Sequence, residues 1–267
     1  MDAAVEFIKK SSTRYLMDTL GFEKHMRQIR ERRGDHVPDA WYRRPYFYSM
    51  FLDSEKIKGH GETVTFPSYV EQPDYELEMV GCFLKPFRTT SVDEAVDFIK
   101  HNMVFTIFND LSARDLQAQD MALPLSVSAS KGVADKSFGP VWVHGNSLPF
   151  DANGIPDVGV RLSVNGEVRC EDRFGSIYFN DPISGARRCW GFAQVIAWFG
   201  GLNQRFEAGH LLGSGTVGNC SIMERSDHYP WLKGGDVIRM EIEGIGVLEN
   251  TVAILEMPRP SKSISEG

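Results

Sequence analysis

Hydrophobic residues recur along the chain at spacings that predict both strands and helices. Residues 104–108 form a short apolar run rich in β-forming side chains, which predicts a buried strand. Upstream of this run, Ser91 and Glu94 have the spacing of a capping box. Apolar side chains follow them at i, i+3, i+4 and i+7, so we expect a helix over residues 91–102.

From residue 60 on, the chain is predicted to be dominated by strands, with a few helices inserted. Asn165 and Gly166 lie between two stretches of alternating residues, as a type I′ hairpin turn requires. Residues 237–243 and 247–255 make another predicted strand pair around a Gly-Ile-Gly turn. Between these two regions, residues 191–200 carry an apolar stripe at helical spacing that is closed by two glycines.

Polar residues that could bind a ligand or take part in catalysis come directly after the strand predicted over residues 104–108. Asp110 ends the strand, and Ser112 with Asp115 has capping-box spacing for a following helix. Asp110 is therefore expected at a strand end that faces a cleft. Arg114 and Gln117 are three residues apart on the predicted helix and share a face, where they could hold an anionic ligand.

Acidic and apolar residues alternate between Asp74 and Val80. On a strand, Glu76 and Glu78 would point to one face, about 7 Å apart. Two carboxylates at that separation repel each other unless a cation lies between them. Asp110 would add a third oxygen ligand, which suits Mg²⁺, Mn²⁺ or Ca²⁺. The alternative is a solvated edge strand with two surface acids.

Length and composition narrow the class of protein. The 267 residues allow one large domain or two small ones, and the net charge of −7 argues against nucleic acids and anionic membranes as partners. No apolar run is long enough to span a bilayer, and residues 1–10 are polar, unlike a signal peptide. The cysteines lack Cys-x-x-Cys spacing and are expected to be reduced thiols of a cytosolic protein: Cys82, Cys170, Cys189 and Cys220.

The motifs occur in an order and spacing that resemble a known enzyme family. They are Glu76-Leu77-Glu78, Phe108–Gln117 with its Asn-Asp-Leu-Ser-Ala-Arg-Asp string, Lys136-Ser137-Phe138-Gly139, and Gly213-Ser214-Gly215-Thr216-Val217-Gly218. Together they resemble the fumarylacetoacetate hydrolase (FAH) superfamily over roughly Asp18 to Val252. The spacing from Asp18 to His25 is similar to that of the fumarylacetoacetase-like branch.

The resemblance implies an α+β fold, with an FAH-type mixed β-roll or sandwich core, inserted helices and a small N-terminal helical part. We expect a helical or irregular segment over residues 1–60 that contributes the base and a lid, and a catalytic domain over residues 61–257. Residues 258–267 are polar with two prolines and are expected to be a disordered tail. A Ser-rich and Gly-rich loop over residues 124–136 is expected to become ordered when a ligand binds.

The resemblance also assigns roles to single residues. It makes His25 the general base, oriented by Glu224, and it makes Lys136 a residue that stabilises developing negative charge. Without the resemblance, His25 would be a surface or packed histidine, and Glu224 would form a plain salt bridge with Arg225. Lys136 would be a solvated loop lysine, and Tyr48 is equally compatible with core packing. The implied metal ligands are Glu76, Glu78, Asp110 and Asp18, and the implied substrate-binding residues are Arg114, Gln117, Tyr48 and Thr216.

These assignments imply metal-dependent hydrolysis of a C–C bond in a 1,3-diketo acid or acylpyruvate, such as fumarylacetoacetate or fumarylpyruvate. The expected cofactor is a divalent cation, Mg²⁺ first, with Mn²⁺ or Ca²⁺ as alternatives. The expected partner is a small diketo or oxo acid, with no nucleic acid or membrane. The family resemblance implies a homodimer, and the reduced cysteines imply a cytoplasmic location. The alternative is an oxaloacetate-type decarboxylase or a keto–enol isomerase of the same superfamily. A non-enzymatic binding protein is a third class, which the intact acid set argues against.

Overall fold

The computed structural model describes residues 3–10, 14–122 and 127–259. In these ranges the helices are short and are separated by many strands. None of the described helices is both long and apolar enough to cross a lipid bilayer. The helices are α1 (Ala3–Lys10), α2 (Glu23–Arg32), α3 (Asp39–Arg43), α4 (Val92–Asn102), α5 (Arg114–Asp120), α6 (Ser128–Gly132) and α7 (Phe192–Gly201).

The strands are mostly short, and the longest of them belong to two sheets. They are β1 (Tyr15–Thr19), β2 (Phe47–Phe51), β3 (Ile57–Lys58), β4 (Thr63–Pro67), β5 (Pro73–Asp74), β6 (Leu77–Phe83), β7 (Met103–Asn109), β8 (Ser112–Ala113), β9 (Lys136–Phe138), β10 (Val143–His144), β11 (Gly159–Val164), β12 (Glu167–Arg173), β13 (Phe179–Asn180), β14 (Arg187–Arg188), β15 (Leu211–Gly213), β16 (Val237–Ile242) and β17 (Gly246–Leu255).

Two mixed sheets form the framework of the described chain. The larger sheet has the order β2-β1-β15-β6-β7-β9-β3, with β10 pairing with β7. The smaller sheet has the order β12-β11-β16-β17-β4. Parallel pairs such as β1–β15 and β4–β17 occur beside antiparallel ones. The predicted α+β fold with inserted helices is therefore confirmed.

The hydrophobic core joins both sheets to helices α4 and α7. Leu77 and Met79 of β6 lie in the same buried cluster as Leu162 of β11 and Met240 of β16. Ile196 of α7 belongs to this cluster as well. Since side chains alternate along a strand, the glutamates beside Leu77 and Met79 point away from this core. The burial of β6 along its whole length excludes the solvated edge strand.

Several elements agree with their local sequence signals. Helix α4 follows Ser91, whose Oγ accepts a hydrogen bond from the Glu94 N–H at 3.3 Å. Strands β11 and β12 meet at Asn165 and Gly166, which have φ angles of 52° and 81°. Both values lie in the left-handed region that a type I′ turn requires. Helix α7 and the pair β16–β17 also lie where the hydrophobic pattern predicts them.

Two local predictions are wrong. Ser112 does not cap α5, because it lies in β8 and its hydroxyl donates to the Asp110 carbonyl oxygen at 2.8 Å. Helix α5 begins at Arg114 without a side-chain cap. The predicted loop over residues 124–136 contains α6 and the start of β9, while residues 123–126 lie outside the described residues, so the proposed ordering of this loop stays a prediction.

The expectation of four reduced cysteines is also wrong. Cys170 on β12 and Cys220, in the loop after β15, form a disulfide with their Cα atoms 5.4 Å apart. The two cysteines are 50 residues apart in the sequence, and only the packing of the loop against β12 brings them together. Cys82 and Cys189 are free, as predicted, and both are buried. A cytoplasmic location stays a prediction.

The N-terminal segment is closely tied to the rest of the chain. Besides α1, α2 and α3, residues up to 60 supply β1, β2 and β3 to the larger sheet. The segment is thus part helical and part sheet, and its status as a separate unit stays a prediction. Most of the predicted tail, from residue 260 on, lies outside the described residues.

Candidate active site

Three acidic side chains come together from three strands of the larger sheet. Asp18 lies on β1, Glu78 on β6, and Asp110 directly after β7. Strand β15 connects the first two, because Gly213 pairs with both Asp18 and Val80. A side chain at Gly213 is excluded, since a Cβ atom there would lie 2.0 Å from Asp18 Oδ1. The glycine therefore makes room for the carboxylate.

The three carboxylates form a compact buried cluster. One oxygen from each of Asp18, Glu78 and Asp110 lies within 4.8 Å of the other two. Thr216 Oγ1 donates to Glu78 Oε1 at 3.1 Å, and the Tyr48 hydroxyl donates to Asp110 Oδ2 at 2.7 Å. Glu78 Oε2 is buried and receives no hydrogen bond from the described residues. An oxygen-rich cluster with an unsatisfied carboxylate atom fits a hard divalent cation.

The protonation of this cluster reflects its crowding. Burial, and then the charge of Asp110, raise the pKa of Asp18 to about 7. Burial and the neighbouring Asp18 raise the pKa of Glu78 well above its usual range. Both shifts have the cause expected of like charges held together away from water. A divalent cation would relieve this repulsion, so the residues present fit such an ion.

Glu76 has quite different surroundings, although it is only two residues from Glu78. Arg114 Nη2 donates to Glu76 Oε1 at 2.5 Å, and Lys131 Nζ donates to Glu76 Oε2. Burial opposes ionisation of Glu76, but Arg114 and then Lys131 hold its pKa well below its usual range. Arg114 also donates to Asp74 Oδ2 at 2.7 Å. Glu76 is therefore neutralised by cations of the protein itself, and its role as a fourth metal ligand stays a prediction.

The candidate base lies on α2, beside the candidate orienting residue. His25 is buried, and its Nδ1 is 3.1 Å from Glu224 Oε1. The two groups are not aligned for a hydrogen bond, so Nδ1 has no hydrogen-bond partner among the described residues. On the other side of the ring, Nε2 is 3.7 Å from Glu76 Oε1. The two ring nitrogens thus face two different carboxylates.

Glu224 is held in place by backbone donors of its own loop. It lies in a short 3₁₀ helix, Met223–Arg225, and accepts hydrogen bonds from the N–H groups of Asn219 and Ser221, both at 2.8 Å. Arg225 turns away and donates to the Arg169 carbonyl oxygen at 2.9 Å. The salt bridge between Glu224 and Arg225 that the sequence left open does not form.

A cavity of about 230 Å³ opens onto these groups. Its lining includes the apolar side chains of Met26 and Ile29 of α2 and Phe47 of β2. Asp110 and Glu224 lie behind the lining, in contact with Tyr48 and His25 respectively. The predicted site residues that line it are Asp18, His25, Tyr48, Glu76, Glu78, Arg114, Gln117 and Thr216.

Two buried lysines approach the same carboxylate from different directions. Lys136 Nζ is 2.6 Å from Asp110 Oδ1 and donates to the Leu111 carbonyl oxygen at 2.6 Å. It lines a separate cavity of about 170 Å³ rather than the main one. Lys131, which lines the main cavity, was not among the predicted site residues. Its position in a Ser-rich, Gly-containing segment resembles that of a solvated lysine, and no sequence signal marks it.

Comparisons with known proteins give a family match over most of the chain. Residues 15–253 match the family described as fumarylacetoacetate (FAA) hydrolase C-terminal. One curated relative is "Oxaloacetate tautomerase YisK" of Bacillus subtilis, which is 27% identical over 197 residues. That match covers 73% of this chain and 58% of the relative.

Solved structures share the fold at lower sequence identity. Fumarylpyruvate hydrolase from Pseudomonas aeruginosa, in complex with Mn²⁺ and pyruvate, has a TM-score of 0.64 and 16% identity, over 90% of this chain and 89% of that one. A 5-carboxymethyl-2-hydroxymuconate delta-isomerase from Mycobacterium smegmatis has a TM-score of 0.62 and 20% identity, over 92% and 80% of the two chains. At these identities the likeness concerns the fold alone.

Proposed function

The chain belongs to the fumarylacetoacetate hydrolase family, and we propose that it hydrolyses a C–C bond in a 1,3-diketo acid or acylpyruvate with the help of a divalent cation. The observation that carries this proposal is the position of His25 and Glu224 beside the buried carboxylate cluster. A cation site alone would serve several reactions of the family. A histidine within reach of the same cavity supplies the base that hydrolysis requires.

Asp18, Glu78 and Asp110 are the residues proposed to hold the cation. Their ligand atoms are all carboxylate oxygens, which suits Mg²⁺, Mn²⁺ or Ca²⁺ better than softer metals. The Mn²⁺ bound to the fumarylpyruvate hydrolase of similar fold supports the same class of ion. When bound, such an ion polarises carbonyl oxygens of the substrate.

His25 is proposed to accept a proton from the attacking water at Nε2. Nδ1 faces Glu224, which would stabilise the imidazolium ring once it carries the second proton. Glu224 is itself held by backbone N–H groups, so its carboxylate does not depend on the ligand for its position. The proton then has a defined route from water to the ring, and later to the leaving carbon.

The residues proposed to bind the substrate's carboxylate are Arg114 and Gln117. Arg114 uses three of its donors on Asp74, Glu76 and the Gln117 Oε1 atom, the last at 3.0 Å. A guanidinium has five N–H donors, so two remain for a ligand. Gln117 also lines the cavity, and its amide nitrogen is proposed as a further donor. Tyr48 and Thr216 are proposed to position the substrate, and Lys136 to support Asp110.

The specific test is a substrate screen. The purified protein, freed of metal with EDTA, would be assayed with acylpyruvates, fumarylacetoacetate and oxaloacetate, with and without Mg²⁺, Mn²⁺ or Ca²⁺. We expect release of the two acid products from an acylpyruvate only when a divalent cation is present. Failure to cleave any diketo acid in the presence of all three ions would contradict the proposed reaction.

A second candidate is tautomerisation or decarboxylation of an oxaloacetate-type acid, because oxaloacetate tautomerases occur among the relatives of this chain. His25→Ala separates the two reactions. Hydrolysis should fall by about 10²–10⁴-fold, the usual contribution of a general base. Decarboxylation of oxaloacetate should be largely retained, and His101→Ala, on an exposed turn of α4, is the matched control. Undiminished hydrolysis in His25→Ala would favour the second candidate.

The proposed partner is a small acid, and the proposed assembly is a homodimer. Light scattering of the purified chain after size-exclusion chromatography would test the assembly. A single species at twice the chain mass is the expected result.

A further inference from the structure

Asp74 is a buried carboxylate that has no part in the proposed function. It is the last residue of β5 and is 0% exposed. Its Oδ1 accepts hydrogen bonds from the N–H groups of Tyr75 and Ile222, at 2.8 and 2.7 Å. Its Oδ2 accepts from the Met223 N–H at 3.0 Å and from Arg114 Nε at 2.7 Å. Asp74 therefore connects an arginine that lines the cavity to a distant loop of the chain.

That loop leads directly to Glu224. Ile222 and Met223 form the start of the 3₁₀ helix Met223–Arg225, where backbone N–H groups have no partner inside the helix. Asp74 supplies the acceptor that these two N–H groups need. Because Glu224 follows Met223 in the chain, Asp74 fixes the backbone from which the Glu224 side chain extends.

Helix α2 contacts the same 3₁₀ helix. Arg32 Nε donates to the Glu224 carbonyl oxygen at 2.7 Å, and His25 Nδ1 is 3.1 Å from Glu224 Oε1. A continuous series of contacts thus runs from His25, through the 3₁₀ helix and Asp74, to Arg114. The proposed base lies at one end of this series, and the residue proposed to bind the substrate's carboxylate lies at the other.

An ionised carboxylate suits the position of Asp74. Among the described residues Asp74 contacts only N–H donors, so a proton on its carboxyl would have no acceptor, although burial raises its pKa. An asparagine here would turn its NH₂ group toward one of the two pairs of donors. In either orientation, one N–H group of the Glu224 loop would then face a donor instead of an acceptor.

We infer that Asp74 is a positioning residue that holds Glu224 and Arg114 in place relative to each other, so that the base and the substrate's carboxylate are aligned across the cavity. The inference rests on the proposed function for the roles of Glu224 and Arg114. Asp74 is not among the described residues that line the cavity, so it acts through these two side chains.

The first measurement is hydrogen exchange on the full chain, followed by mass spectrometry. In Asp74→Asn, residues 219–225 should exchange about tenfold faster than in the wild type, because the start of the 3₁₀ helix loses an acceptor. Asp181→Asn is the matched control. Asp181 is also buried and accepts from a backbone N–H, that of Ile183, and from Arg188 Nη1, both at 2.9 Å. This control should leave exchange over residues 219–225 unchanged.

The second measurement is a double-mutant cycle on the cleavage of an acylpyruvate at saturating Mn²⁺. Asp74→Asn should lower kcat by about 10–100-fold, because a small misplacement of catalytic groups is costly. If Asp74 acts through Glu224, adding Glu224→Gln should lower kcat little further than the more impaired single variant does. A purely structural role for Asp74 predicts instead that the two losses multiply.

The outcomes separate the inference from the proposed function. Unchanged exchange over residues 219–225, or losses of kcat that multiply, would overturn the inference and leave the proposed function standing. Absence of diketo acid cleavage in the wild type would overturn the proposed function, and hydrogen exchange would then decide whether Asp74 holds the loop.

A structure of the wild type with Mn²⁺ and an acylpyruvate product decides the matter if Asp74→Asn does not fold. We expect Arg114 to contact the product's carboxylate while its Nε still donates to Asp74, and the N–H groups of Ile222 and Met223 to remain on Asp74. An Arg114 side chain that leaves Asp74 in order to bind the product would overturn the inference.

Discussion

The two halves of the site carry the same kind of side chain in opposite electrostatic states. In the acid half, Asp18, Glu78 and Asp110 crowd together, and the pKa values of Asp18 and Glu78 are raised. In the paired half, Arg114 and Lys131 lie against Glu76, and its pKa is lowered. Asp110 belongs to both environments, because Lys131 and Lys136 contact it as well. The contrast is therefore sharpest between Glu76, which Arg114 and Lys131 compensate, and Glu78, which forms no salt bridge with the described residues.

The largest expected effect concerns stability in the paired half. Arg114→Met would leave Asp74 and Glu76 without their main cation, and we expect the free energy of unfolding to fall by about 3–5 kcal/mol. Urea unfolding of the metal-stripped protein measures this. The control is Arg161→Met, which breaks an exposed pair with Glu171 and should cost no more than about 1 kcal/mol. Equal losses of unfolding free energy in the two variants would show that the buried ion pairs of Arg114 contribute no more to stability than an exposed pair.

In the acid half, removing a charge should instead cost cation binding. Glu78→Gln keeps the shape of the side chain but removes a proposed ligand, so Mn²⁺ affinity should fall by more than about 100-fold. Stability without metal should not fall, because burial and the neighbouring Asp18 already disfavour the charged form of Glu78, and the neutral amide replaces a largely neutral carboxyl. Glu171→Gln, on the exposed face of β12, is the control. A loss of stability with unchanged Mn²⁺ affinity would mean that Glu78 supports the fold and does not bind the cation.

Local patterns predicted much of the fold. Each of three elements is encoded by a signal that spans only a few neighbouring residues: the capping residue of α4, the Asn-Gly turn and the apolar stripe of α7. Each of these elements lies where its pattern predicts it. The sequence also identified the acids that meet at the site, because their strand positions and their order resemble a known family. Their roles as ligands and catalysts stay predictions.

The remaining features depend on contacts between distant parts of the chain. The disulfide joins cysteines from a strand and a loop that are 50 residues apart. Ser112 has the spacing of a cap, but its hydroxyl is taken by the Asp110 carbonyl oxygen and by contacts in the site. Lys131 looks like a solvated lysine until α6 is placed against Glu76 and Asp110. No pattern within one segment contains this information.

A smaller effect is expected from pH. Asp18, with its pKa raised to about 7, is protonated below that pH and must lose the proton to bind a cation. Glu78, whose pKa is raised well above its usual range, must lose its proton as well. Mn²⁺ affinity should therefore fall as the pH decreases, by up to about tenfold per pH unit for each of the two protons that must be released. Glu76 stays ionised in this range and should not contribute. Calorimetry at several pH values, in buffers of different ionisation enthalpy, counts the protons released, and a flat affinity profile would contradict the account.

The smallest expected effect concerns the hydroxyl that supports the acid half. Thr216→Val removes the hydrogen bond to Glu78 Oε1 but keeps the side-chain volume. One such bond contributes about 1 kcal/mol, so Mn²⁺ affinity should change by less than about tenfold. The same titration measures it. A loss as large as that of Glu78→Gln would mean that Thr216 belongs to the cation site itself.

The central claim is that hydrolysis depends on a cation held by the acid half. Mn²⁺ should be titrated into metal-stripped protein while its binding and the cleavage of an acylpyruvate are followed in the same sample. The account predicts that activity is absent at the start, rises in proportion to occupancy, and levels off when each chain holds one ion. Full activity before any divalent cation is added, or equal activity in Glu78→Gln, would contradict it.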